Sequence, residues 1–162
     1  MGDSITRGSG ALEGRAWPAV LEARLGGDWR VRNFGKSGRT VMGLPDAYTA
    51  TAFYRDAMRS GADINIIMLG TNDAKTAYWD REAFVEAYRA LLNRTLSAFP
   101  RTLLGVPPPQ LEGGWYWTNA SVVNDEMRPL VRDIAAEFGL PLFDTPFNES
   151  MYSDLSARRR FS

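Results

Sequence analysis

An uninterrupted apolar run near the middle of the chain constrains the fold more than any other feature. Residues 62–69 end in four consecutive apolar side chains, 66–69 (IIML), and the turn-forming residues 70–73 (GTND) follow directly. A strand with one face in water alternates apolar and polar side chains, whereas a strand covered by helices on both faces is apolar throughout. The run therefore predicts a buried strand of a parallel sheet, with polar residues at the carboxyl end, where ligands bind in open α/β sheets.

Segments with helical and strand-like patterns alternate along the rest of the chain. The segments with helical periodicity are 17–25, about 50–59, 81–99 and 122–138. The segments with strand patterns are 29–34, 62–69, 102–106 and 140–143. Asp80 is the predicted N-cap of the third helix, and Pro129 is expected to kink the fourth. This alternation is typical of a parallel sheet with helices on both faces, and 162 residues suit one core, so we predict a single α/β domain over residues 1–162.

The composition excludes several kinds of partner and site. Nineteen basic residues balance nineteen acidic ones, so charge gives no argument for nucleic acid or an anionic membrane surface. The one dense basic cluster, Arg158 to Arg160, is interpreted as a solvated segment. The absence of cysteine excludes disulfides, thiol catalysis and thiolate metal sites, but does not identify the compartment. No apolar run approaches the roughly 20 residues of a membrane span.

Three short motifs point to a chemical function. In the serine motif, residues 1–8 (MGDSITRG), the flanking glycines allow a sharp strand-to-helix turn that presents the Ser4 hydroxyl, although Ser4 could instead only cap a helix. In the glycine motif, residues 33–40 (NFGKSGRT), Gly38 lets a substrate oxygen approach the backbone N–H, or serves only the turn. In the asparagine motif, residues 70–73, Asn72 can aim its side-chain amide at a developing oxyanion, or bond only within its own turn.

These three motifs, in this order, resemble those of the SGNH (GDSL-type) hydrolases. The resemblance implies that Ser4 is the nucleophile and that Ser4, Gly38 and Asn72 form the oxyanion hole. Asp3 and Asp73, next to two of these residues, are candidate substrate-binding residues. The resemblance further implies a flavodoxin-like three-layer α/β fold with a parallel sheet of strand order 2-1-3-4-5, and a reaction that needs no metal or other cofactor.

Two parts of the family pattern have no counterpart in this sequence. The family supplies its acid and base from a D-x-x-H block near the C-terminus, yet these 162 residues contain no histidine. The family's first, central strand precedes the serine motif, where only Met1 stands. We therefore expect the domain to be incomplete at both ends, and the 162-residue chain alone to be nearly inactive.

A glycine-rich aromatic segment, residues 110–119, is the last candidate for substrate contact. Trp115 and Trp117 lie there beside Gly113 and Gly114. Flat aromatic faces suit the wall of a site for sugar rings or apolar acyl groups, although the same side chains can instead pack onto the body of the domain.

The functional hypothesis follows from the resemblance, which is nearest to the sialate O-acetylesterase-like and acetylxylan-esterase-like branch. It implies a serine esterase that hydrolyses short-chain acyl esters, including O-acetyl groups on carbohydrate, through an acyl-enzyme. Two other classes stay open. One is a non-catalytic SGNH-like protein that binds an acylated sugar or a carboxylate and lacks the base. The other is a plain flavodoxin-like domain for a phosphate or nucleotide, although residues 35–38 carry no Walker or dinucleotide pattern.

Overall fold

The computed structural model describes residues 1–43, 45–75, 77, 79–111 and 118–144. The helices are α1 (Ser4–Arg7), α2 (Trp17–Leu25), α3 (Ala52–Met58), α4 (Arg81–Ala98) and α5 (Arg128–Glu137). The strands are β1 (Asn65–Ile67), β2 (Thr102–Val106) and β3 (Leu142–Asp144). A 3₁₀ turn (Tyr48–Ala50) precedes α3, and a π-helical segment (Val122–Met127) leads into α5. The fold is therefore α/β, as the alternating pattern predicts.

The three strands form one parallel sheet in the order β1-β2-β3. Two isolated parallel bridges continue the pairing beyond β1, because Gly2 is bridged to Met68 on one side and to Gly35 on the other. The Met68 N–H donates to the Met1 carbonyl at 3.1 Å, and the Lys36 N–H donates to the Gly2 carbonyl at 2.9 Å. Backbone at Gly35, Gly2 and Met68 therefore lies side by side, next to the sheet.

The hydrophobic core lies between this sheet and the helices. Asp80 caps α4, since its carboxylate accepts the Ala83 N–H at 2.9 Å, as predicted. From α4, the large side chains of Phe84, Tyr88 and Leu92 are fully buried. The core cluster also takes in β1 and β2 through Ile67, Leu104 and Val106, and α5 through Val131 and Ile134. Each such side chain contributes about 1.5–3 kcal/mol when it is removed from water.

One sequence prediction of local structure is wrong, and another is not tested. Residues 29–34 form no strand, although their apolar and polar side chains alternate. A strand needs a neighbour that supplies N–H and C=O groups along its length. Among the described residues, the nearest bridge is at Gly35, just after this segment, where the backbone pairs with Gly2. The kink at Pro129 stays a prediction. Pro129 is the second residue of α5, and the π-helical segment lies directly before this helix.

Candidate active site

The candidate oxyanion-hole residue of each motif follows a bridged residue by two to four positions. The pairs, with the bridged residue first, are Gly2 and Ser4, Gly35 and Gly38, and Met68 and Asn72. Since parallel segments leave the sheet in the same direction, the turns that follow them lie at one edge. The structure therefore brings the serine, glycine and asparagine motifs together at the carboxyl edge of the sheet.

Ser4 is the first residue of α1 and is partly exposed. The residue that caps this helix is Asp3, whose Oδ1 accepts the Ile5 N–H at 2.9 Å, so the alternative in which Ser4 itself is the cap is wrong. At the other end, Gly8 adopts the left-handed conformation with φ 94° and donates its N–H to the Ser4 carbonyl at 3.0 Å. The N–H of a first helical residue has no partner within its helix, which leaves it able to bind an anion or oxyanion.

Asp3 is buried beneath Ser4, with 1% of its surface exposed. Its second oxygen lies 3.4 Å from the side-chain nitrogen of Asn72, which links the serine and asparagine motifs. Burial raises the pKa of Asp3 to about 6, against the opposing hydrogen bond from Ile5. In this structure the carboxylate faces protein donors, and its predicted substrate contact stays a prediction.

The glycine motif crosses close over α1. A Cβ at Gly35 would lie 2.3 Å from the Arg7 nitrogen, so only glycine allows this approach. Gly38, three positions later, has φ +77°, and nothing lies within 4 Å of the point where its Cβ would stand. Its backbone thus borders open space, which a substrate oxygen would need in order to approach the N–H.

Asn72 lies between the other two motifs. Its Nδ2 donates to the Arg39 carbonyl at 3.1 Å, immediately after Gly38, and approaches Asp3 at 3.4 Å. The second distance is long for an N–H···O hydrogen bond, so the contact with Asp3 is the weaker of the two. The amide is therefore held at the meeting point of the serine and glycine motifs.

Asp73 is fully buried, and its carboxylate contacts the loop after Gly38. The Val41 N–H reaches both of its oxygens at 3.0 Å, and the Met42 N–H reaches Oδ1 at 2.9 Å. Burial raises the pKa of Asp73 to about 7, and the nearby charge of Asp3 adds to the rise. As with Asp3, the oxygens face protein donors here, and the predicted substrate contact is untested.

Sequence reasoning gave no role to Asn33, which joins the glycine motif to α1. Its amide nitrogen donates to the Thr6 carbonyl at 2.9 Å, and its oxygen accepts the Gly35 N–H at 2.9 Å. The available signal was an asparagine two residues before a glycine, which is typical of an Asx turn. Trp115 and Trp117, the predicted aromatic contacts, lie outside the described residues.

The described residues contain neither a candidate metal site nor a helix that could span a membrane. Among the described residues, no group of three or more histidine, cysteine, aspartate or glutamate side chains is placed to hold a metal ion. Of the helices described above, none combines the length and apolar character needed to cross a membrane.

Residues 1–161 match the model of the GDSL-like lipase/acylhydrolase family. The chain belongs to this family, also called SGNH. An acetylxylan esterase of Xylanibacter ruminicola is 32% identical in an alignment 168 residues long, which covers 89% of this chain and 35% of that protein. The SGNH chain thus spans about a third of the length of this curated relative.

Solved SGNH esterase structures match the fold of this chain. A protein of Agrobacterium tumefaciens assigned as an arylesterase is 31% identical, with a TM-score of 0.70 over 89% of this chain and 80% of that one. A carbohydrate acetylesterase family member from Sinorhizobium meliloti is 27% identical, with the same TM-score and the same coverage. The chain is therefore esterase-like in family and fold, and its relatives include aryl and carbohydrate acetylesterases.

Proposed function

We propose that Ser4 is the nucleophile of a serine esterase that hydrolyses short-chain acyl esters, including O-acetyl groups on carbohydrate. The observation that carries the proposal is the position of the Asn72 side chain. Its nitrogen lies 3.1 Å from the carbonyl next to Gly38 and 3.4 Å from the carboxylate next to Ser4. Three candidate oxyanion donors, the backbone N–H groups of Ser4 and Gly38 and the Asn72 amide, are thereby supported at one edge of the sheet.

The reaction would run through an acyl-enzyme. A base takes the proton of the Ser4 hydroxyl while Oγ bonds to the ester carbonyl carbon, and the carbonyl oxygen gains a negative charge among the three donors. The bond to the alcohol oxygen then breaks, and the alcohol leaves with a proton. Water attacks the acyl group on Ser4 and releases the carboxylic acid. In other enzymes, removing one oxyanion donor costs about 2.7–4 kcal/mol of transition-state stabilisation.

The base is the part of this reaction that these residues do not supply. The 162 residues contain no histidine. Both oxygens of Asp144, the carboxylate that ends β3, are held by Arg128 at 2.9 Å and by Arg132 at 2.6 Å. In comparable triads, loss of the base costs on the order of 10⁶ in kcat, with about 10³–10⁴ over water remaining from the oxyanion hole and binding. We therefore propose that the chain alone turns over slowly.

The substrate class rests on the relatives. One is named an acetylxylan esterase and another a carbohydrate acetylesterase family member, which supports acetyl groups on carbohydrate as the substrate. Trp115 and Trp117 are proposed to contact the sugar, because aromatic faces stack on sugar rings. The strand order 2-1-3-4-5 of the flavodoxin-like three-layer arrangement is part of the same proposal, and the bridges at Gly35, Gly2 and Met68 before β2 and β3 support it.

Chemical rescue tests the proposal. Hydrolysis of p-nitrophenyl acetate is measured for the chain and for Ser4→Ala with increasing imidazole, which supplies the missing base from solution. We expect a rate that rises with imidazole above the Ser4→Ala background, and an acetyl group on the peptide that contains Ser4, detected by mass spectrometry. Equal rates for the two proteins at every imidazole concentration, without an acetylated peptide, would contradict the esterase proposal.

A second function, a binding protein without catalysis, is favoured by the absence of histidine. The same site would then hold an acylated sugar or a carboxylate without turning it over. Titration with acetylated xylo-oligosaccharide and with its deacetylated form distinguishes the two functions. Binding that depends on the acetyl group and persists in Ser4→Ala, with no rescue by imidazole, would support this second function.

A further inference from the structure

The proposed reaction assigns no task to Asp73, although its carboxylate is fully buried. Removing a carboxylate from water is costly unless hydrogen bonds replace the water. Here the replacements are the backbone N–H groups of Val41 and Met42, at 2.9–3.0 Å. No basic side chain is among these partners, so the carboxylate is held by backbone amides alone in the contacts described.

Asn72 and Asp73 together bind one short stretch of backbone from two sides. Asn72 donates to the Arg39 carbonyl at 3.1 Å, and Asp73 accepts the N–H groups two and three residues further on. Two consecutive side chains in the turn after β1 therefore bind the backbone of residues 39–42, one as a hydrogen-bond donor and the other as an acceptor. Gly38 immediately precedes this stretch.

The side chains of Val41 and Met42 pack in the hydrophobic core, and the other polar contacts of this loop join it mainly to itself. Arg39 forms an ion pair with Asp46 at 3.0 Å, and the Thr40 N–H donates to the Asp46 carbonyl at 3.0 Å. Tyr48 in turn donates its N–H to the Thr40 carbonyl at 2.8 Å. These bonds join residues 39–40 to residues 46–48, whereas the bonds to Asn72 and Asp73 connect residues 39–42 to the turn after β1. Nothing lies within 4 Å of the Cβ position of Gly38, so no contact on that side of the residue holds it in place.

We propose that Asp73 is a positioning residue that holds residues 39–42 so that the Gly38 N–H and the Asn72 amide face the same point. This inference rests on the proposed function, in which those two groups bind the oxyanion. In this proposal the task of Asp73 does not depend on a contact with substrate, because its carboxylate acts through the backbone N–H groups of Val41 and Met42. Displacements of about 1 Å in such donors are enough to lower catalysis on the order of a hundredfold.

Two substitutions at this position grade the effect. Asp73→Ala removes both oxygens and leaves two buried N–H groups without an acceptor. Asp73→Asn keeps one oxygen, and Oδ1 alone already lies within 3.0 Å of both the Val41 and the Met42 nitrogen. Asp80→Ala is the matched control, since it also removes a carboxylate that accepts a backbone N–H, at the exposed start of α4 and outside the three motifs.

The experiment combines kinetics with amide NMR signals. The Ser4-dependent hydrolysis of p-nitrophenyl acetate with imidazole is compared among the variants, and the signals of Gly38, Val41 and Met42 are followed in each. We expect Asp73→Ala to lower kcat about ten- to a hundredfold with KM changed less than about threefold, and to shift the Gly38 signal. Asp73→Asn should fall between it and the unsubstituted chain, and Asp80→Ala should leave kcat and the three signals unchanged.

Three outcomes would overturn the positioning role of Asp73 or separate it from the proposed esterase function. A folded Asp73→Ala with unchanged kcat and an unchanged Gly38 signal would mean that Asp73 only stabilises the fold. If Asp73→Ala does not fold, unchanged kcat and Gly38 signal in Asp73→Asn overturn the inference in the same way. If Ser4→Ala retains the whole rate, the proposed function fails, and the Gly38 signal in the Asp73 variants alone decides whether that residue positions the loop.

Discussion

Two aspartates lie at the carboxyl ends of parallel strands, one after β1 and one at the end of β3. Their hydrogen-bond partners differ in kind. Asp73, after β1, is fully buried and is held by the neutral backbone amides of Val41 and Met42. Asp144, the last residue of β3, has a side chain that is 32% exposed and is held by the guanidinium groups of Arg128 and Arg132. The first lies at the centre of the candidate site, and the second connects β3 to α5.

The difference shows what each kind of partner can do for a carboxylate. Backbone amides fix the shape of a loop but bring no full positive charge, so burial dominates and the pKa of Asp73 rises to about 7. Arginine brings charge and a planar pair of donors, so it fastens one element to another. Arg128 does this twice, because its guanidinium also donates to the Pro107 carbonyl at the end of β2. The carboxylate in the candidate site is thus held differently from the one that joins β3 to α5.

The largest expected effect is in the pH dependence of stability. The pKa of Asp73 is raised from 3.8 to about 7 by folding, so its contribution to stability is fully present below pH 4 and is lost as the pH rises through about 7. The free energy of unfolding of the unsubstituted chain, minus that of Asp73→Asn, should therefore fall on the order of 3 kcal/mol between pH 4 and pH 8. Urea unfolding of both proteins across this range measures it. A difference that stays constant or rises with pH would contradict the burial of Asp73.

The next largest effect is the difference between the stability losses caused by replacing each aspartate with alanine at pH 5. Asp73→Ala leaves two buried N–H groups without an acceptor, which should lower the free energy of unfolding by about 2 kcal/mol. Asp144→Ala leaves two guanidinium groups, of which Arg128 keeps its bond to Pro107, and should cost about 1 kcal/mol. Urea unfolding of the two variants side by side gives the comparison. Equal losses would mean that the neutral and the charged partners stabilise alike.

Local signals predicted the elements whose boundaries are set locally. The cap at Asp80, the apolar face through Phe84 and Tyr88, and the end before Pro100 gave α4, and residues 102–106 formed the predicted strand. The segment 29–34 carries an equally clear alternation and forms no strand, because pairing depends on a neighbour distant in sequence. In the site, motif order placed Ser4, Gly38 and Asn72 at one edge. It did not reveal that Asp73 would bind backbone 31 and 32 residues away, because that contact depends on how two loops meet.

The smallest expected effect is in the salt dependence of the Arg132 to Asp144 pair. Its two bonds are short, at 2.6 and 2.8 Å, but the Arg132 side chain is 40% exposed, so dissolved ions reach the pair. Arg132→Ala should lower the free energy of unfolding by about 0.5 kcal/mol in dilute buffer and by less in 1 M NaCl. The loss caused by Asp73→Ala should change little with salt, because its partners carry no net charge. The stability loss in Asp73→Ala could instead shrink with salt as much as the loss in Arg132→Ala. That result would show that a charged group exposed to dissolved ions, and not the two amides, stabilises the buried carboxylate.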